Sequence, residues 1–144
     1  HGIEAEQELS RKSGLSARSS FTWMTARDGS TDLRLMNSPA RLFKLNGTVP
    51  FRTRGLIGVE MLYTGAQKNY TNALISSSLL TNMTLSTRSV RNWQLSASCY
   101  NLFDRTWATP TGPELASPAT VQDGRTFRFR IEYRRSFERR WSGQ

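Results

Sequence analysis

Apolar and polar residues alternate with period two through most of this 144-residue chain. Successive side chains of a strand point to opposite faces, so the pattern gives each segment one greasy and one wet face, which no amphipathic helix reproduces. Leu15, Ala17, Ser19, Phe21 and Trp23 share one face, and Ser16, Arg18, Ser20 and Thr22 the other. The division recurs in Phe43, Leu45 and Val49 against Lys44, Asn46 and Thr48, then in Ile57, Val59, Met61 and Tyr63 against Gly58, Glu60 and Thr64. Met83 and Leu85 oppose Asn82, Thr84 and Ser86, and Trp93, Leu95, Ala97 and Cys99 oppose Asn92, Gln94, Ser96 and Ser98. The clearest segment sets Phe127, Phe129, Ile131 and Tyr133 against Arg128, Arg130, Glu132 and Arg134. With a weaker opening segment, where Glu4, Glu6 and Glu8 alternate, the pattern predicts seven strands and an all-β chain forming one structural unit over residues 1–144.

The predicted connections alternate short and long. Tight ones fall at 11–14, 51–54 and 88–91, and longer ones at 28–39, 67–72 and 105–124, the last rich in Pro, Thr, Ser and Gly. Tight turns at one rim and long loops at the other are the asymmetry of an antiparallel up-and-down transmembrane β-barrel. Aromatics fit two interfacial girdles, with Phe21, Trp23, Tyr63, Phe103 and Phe127 near the long-loop ends and Phe51, Trp93 and Phe137 near the tight-turn ends.

Other classes are less compatible with these residues. No run approaches the roughly 20 apolar residues of a membrane helix. The first residues, HGIEAEQELS, carry no initiator Met and no signal-peptide pattern, so the chain is expected to begin inside a longer one. Cys99 is the single cysteine and His1 the single histidine, which leaves no internal disulfide, no cysteine-based zinc cluster and no conventional catalytic constellation; the chain reads as a non-enzyme. A formal net charge of +9 raises nucleic acid, anionic lipid or acidic ligands as partners. Binding single-stranded nucleic acid needs aromatics interleaved with arginines on one face, and here they lie on opposite faces, so no nucleic-acid partner is expected. A secreted β-sandwich for adhesion or carbohydrate binding stays open as the alternative; it would bury the apolar face and need no detergent.

The last hairpin reads NLFDRTW at 101–107, then, across the long connection at 105–124, DGRTFRFRIEYR at 123–134. It resembles the end of TonB-dependent outer-membrane receptors, in which the penultimate strand closes on Asn-Leu-Phe-Asp and an aromatic, and the final strand opens with Gly-Arg. MNSPARLFKLNGTVPF at 36–51 and LSTRSVRNWQLSASCYNLFD at 85–104 are similar to strand starts and hairpins of the same family. The resemblance implies a C-terminal portion of the barrel without the plug domain or TonB box. It also implies a role in uptake of a scarce nutrient such as a ferric siderophore or cobalamin, with outer-membrane lipid, the small-molecule ligand and, through the missing N-terminal part, the TonB complex as partners. Gram-negative outer membrane is the implied location, and no cofactor is implied. Family members usually end at an aromatic two residues past the position of Tyr133, whereas here Arg135 stands and SFERRWSGQ follows, with Phe137 as a possible substitute. The final strand would run down to the periplasm, placing tight turns there and ligand capture on the long loops.

The wet face would line the lumen. Candidate ligand-contacting residues there are Arg18, Lys44, Glu60, Arg128 and Arg130. Arg128, Arg130 and Arg134 have the guanidinium fork for phosphate or another anion, but charged lumen lining, which needs no individual ligand, is the stronger reading. Glu4, Glu6 and Glu8 read as solvated lumen carboxylates rather than a calcium or acid/base site. Arg139 and Arg140 read as a solvated tail. The sequons at Asn46, Asn69 and Asn82 read as chance matches.

Overall fold

The computed structural model describes residues 1–27, 29–30, 35–87 and 92–134. The predicted turn at 88–91, part of the loop at 28–39, and the tail with Arg135, Phe137, Arg139 and Arg140 lie outside the described residues.

The seven alternating segments each form a strand: β1 (Gly2–Ser10), β2 (Ser16–Met24), β3 (Arg41–Phe51), β4 (Gly55–Thr64), β7 (Ser78–Thr87), β8 (Trp93–Tyr100) and β11 (Thr126–Tyr133). Five of them have nine to eleven residues, the length of roughly 9 to 11 that a tilted strand needs to cross a bilayer, while β8 and β11 have eight. They make one antiparallel sheet in the order β1-β2-β3-β4-β7-β8-β11, so neighbours in the sheet are also neighbours in the chain. Among the described residues the sheet is open, with β1 and β11 each unpaired on one side. Six antiparallel pairings leave β1 and β11 running the same way, so an all-antiparallel closure needs an odd number of further strands.

Two smaller pairs were not apparent in the alternation: β5 (Gln67–Lys68) with β6 (Leu74–Ile75), and β9 (Ala108–Pro110) with β10 (Ala119–Val121). Both sit inside the predicted long loops. Strands of two or three residues are too short to produce a readable period.

Register sorts the side chains across all seven strands. Leu9, Ala17, Gly47, Val59, Met83, Cys99 and Phe127 form one continuous row through successive pairings, with Ala5, Phe21, Phe43, Tyr63 and Leu79 in another row of the same face. Arg41 shares this parity, opposite Trp23 at the long-loop end, where its cation can reach water past an apolar stem. At the tight-turn end the Trp93 and Tyr133 rings lie 4.8 Å apart, so Tyr133 supplies an aromatic there. The opposite face carries Glu8, Arg18, Asn46, Glu60 and Asn82 in one row, and Tyr100 opposite Thr126 on the last two strands.

No second sheet covers the apolar face among the described residues, so they do not build the sandwich of the alternative reading. The consequence is an almost absent core. Among the described residues the one buried large hydrophobic side chain is Ile75, in a loop hairpin, while Phe129 is 78% and Ile131 70% exposed.

Candidate functional site

The polar face places all five candidates on one side of the sheet but in two groups. Arg18 on β2 and Glu60 on β4 share a row, with Asn46 of β3 between them, at a separation of about 10 Å from two strand spacings. Lys44 stands one row nearer the long loops, between Ser20 and Leu62. Arg128 and Arg130 lie three strands beyond Glu60, about 14 Å across the sheet, opposite Ser98 and Ser96. The structure therefore does not gather the five into one pocket.

Local partners fix most of these charges. Arg18 Nε donates to Glu6 Oε1, and Glu8 is its direct cross-strand neighbour. Glu60 Oε2 accepts from Asn82 Nδ2 at 3.2 Å. Arg130 and Arg134 both donate to Glu132, and the Arg128 guanidinium lies 5.7 Å from the centre of the Tyr100 ring. Lys44 forms no ion pair among the described residues and is exposed. Glu4, Glu6 and Glu8 stand about 7 Å apart along β1. Among the described residues no three His, Cys, Asp or Glu side chains could jointly hold a metal ion.

Small residues leave a trough beside the Arg18–Glu60 row. Ser10, Ser16, Thr48, Gly58, Thr84 and Ser98 form the next row, and a hollow of about 450 Å³ opens over part of it, rimmed by Glu8, Arg18 and Glu60. Such a surface offers hydroxyls and mixed charge to water or a polar solute.

The long loops form the second part of the candidate site. Asn69 is 2% exposed; its Oδ1 accepts from the Thr71 amide, the Thr71 hydroxyl and the Ala73 amide, which closes the tip of the β5–β6 hairpin. Its Nδ2 donates to Pro118 O and the Tyr70 hydroxyl donates to Leu115 O, so this loop is tied to the one bearing β9 and β10. The sequon at Asn69 is thus engaged structurally. Between the two loops lies a cleft of about 310 Å³ lined by Leu74, Ile75, Thr106, Trp107, Ala108 and Val121. Sequence reasoning named these loops but not this cleft, because the alternation that marks the strands is absent from them.

The Asn-Leu-Phe-Asp segment positions the larger loop. Asn101 takes a left-handed φ of 49° and Asp104 one of 51°, a conformation that Asn and Asp tolerate better than most residues. Asn101 Oδ1 accepts the Arg105 amide at 2.9 Å and its Nδ2 donates to the Arg105 carbonyl at 2.8 Å, while the Asn101 amide donates to Asn82 Oδ1. Asp104 Oδ1 then accepts the Arg125 amide at 2.7 Å. A Cβ at Gly124 would lie 2.7 Å from that same oxygen, so the Asp-Gly-Arg start of β11 and the end of β8 form one clasp around the loop base.

Compared with known families the chain matches no family model, and compared with curated proteins it matches none.

Proposed function

We propose that the seven-stranded sheet is part of the wall of a transmembrane β-barrel in the Gram-negative outer membrane, and that this barrel belongs to a TonB-dependent receptor taking up a scarce nutrient such as a ferric siderophore. The carrying observation is the single unpartnered apolar face shared by all seven strands, opposite a face of charge and hydroxyls. In water that face is an exposed apolar patch far larger than a monomeric soluble protein tolerates. In a bilayer it is the lipid-facing surface, and the ladder satisfies most backbone groups, with the β7–β8 pairing limited to Met83–Ser86 against Ser96–Cys99 and the two edges left for further strands to cover. The receptor assignment rests on the resemblance of the last hairpin, whose Asn101, Asp104 and Gly124 have defined jobs in shaping a long loop. In this reading the braced loops and the cleft at Trp107 belong to the outward-facing surface that meets the ligand, and Arg18, Lys44, Glu60, Arg128 and Arg130 line the water-filled interior.

Refolding the chain from urea, with and without detergent micelles, tests the wall. The expected result is β-structure only when micelles or lipid cover the apolar face. A folded, monomeric chain that stays dispersed in plain buffer would overturn the proposal and favour a soluble β-module.

A further inference from the structure

Charge separates the two ends of the sheet. The three long connections, 25–40, 65–77 and 101–125, carry five acidic and five basic residues, whereas the three tight ones, 11–15, 52–54 and 88–92, carry six basic residues and no acidic one. Of the described members, Arg11, Lys12, Arg52 and Arg54 are exposed and make no ion pair with any described residue. A rim intended only for solubility interleaves both signs.

One tight turn joins this charge to a hollow on the apolar face. A groove of about 600 Å³ runs between Phe51 and Leu85, with Arg52 and Arg54 at its turn end and Gly55 in its floor. Gly55 pairs with Phe51 on one side and Thr87 on the other, and a Cβ there would lie 2.5 Å from the Phe51 carbonyl oxygen. The gap is therefore built in, since a larger residue would both fill it and displace the backbone. The Arg52 guanidinium sits 5.6 Å from the centre of the Phe51 ring, a stacking that holds its fork at the groove mouth.

We propose that this groove binds an anionic phospholipid, with one acyl chain against Phe51 and Leu85 and the phosphodiester between Arg52 and Arg54. The inference rests on the membrane-wall reading, because only a lipid-facing apolar surface opens the groove to acyl chains. Charge complementarity selects the occupant: the hollow is mostly apolar, with Phe51, Gly55 and Leu85 beside Thr87, and doubly cationic at one end. The Trp93–Tyr133 pair on the same face near the same rim marks headgroup depth. An arginine near an anionic surface contributes about fivefold to binding, so two supply a readable headgroup preference.

The test is flotation of the full chain, refolded in the presence of vesicles of phosphatidylcholine alone or with phosphatidylglycerol added, at physiological salt. The chain should bind the mixed vesicles at lower lipid concentration. R52Q/R54Q should lose about tenfold or more of that preference, while R105Q/R125Q, with the same net charge, keeps it. Equal loss in both double variants, or no headgroup preference in the unmodified chain, would overturn the site while leaving the wall intact, because the chain would still float with neutral vesicles. A chain that stays in the aqueous fraction with both compositions would overturn the wall, and the site with it.

Discussion

Replacing Val59 with arginine abolishes stable association with a bilayer, while the same change at Ser20 leaves it nearly unaltered. Val59 lies mid-way along β4 on the apolar face, between Gly47 of β3 and Met83 of β7. If that face meets hydrocarbon, an arginine near the midplane costs about 2–4 kcal/mol, a drop of roughly 30- to 1000-fold in the folded, lipid-bound population. Ser20 is similarly central in β2 but on the polar face, beside Glu6 and Lys44, where an arginine finds water and a carboxylate. Flotation with neutral vesicles after refolding reads both. Equal loss in the two variants would mean that the faces do not differ in solvent, and the lipid-facing assignment would fall.

The second large effect is expected at Asn101. The residue is only 6% exposed, and its side chain bridges the Arg105 amide and carbonyl while its backbone holds a left-handed turn. Asn101→Ala removes these bonds and puts an ordinary Cβ residue into that conformation, at a cost of about 2–4 kcal/mol for opening the loop base. Amide hydrogen exchange at Arg105 and Arg125 should accelerate by roughly 30- to 1000-fold if opening governs exchange. Asn101→Gly should recover about 1 kcal/mol of this, because glycine adopts the turn freely but restores no side-chain bond. Unchanged exchange in the alanine variant would show that the clasp does not depend on Asn101.

Much of the sheet was legible because strand periodicity and face chemistry coincide. The alternation from Phe127 to Tyr133 fixes both the element and its orientation, and β11 spans Thr126–Tyr133. The same holds from Ile57 to Tyr63, within β4. The loop hairpins were not legible. Gln67–Lys68 and Leu74–Ile75 pair because Asn69 gathers three donors at the tip, a tertiary arrangement with no periodic trace in sequence. Parity put Arg18, Lys44, Glu60, Arg128 and Arg130 on the polar face, and the register keeps all five opposite the apolar rows. Parity alone could not reveal that Glu60 and Arg128 stand three strands apart. That distance depends on sheet order and register, which emerge only when the strands are assembled. Nor could it reveal the groove at Gly55, where the missing side chain matters because Phe51 and Leu85 flank it.

A nitroxide scan along β4 in lipid vesicles tests the membrane wall, using single cysteines in a Cys99→Ser background and collision with oxygen or a water-soluble nickel chelate. A barrel wall predicts oxygen maxima at Ile57, Val59, Met61 and Tyr63 and nickel maxima at Leu56, Gly58, Glu60 and Leu62, repeating with period two. Nickel access at every position, or a profile without that period, would contradict it.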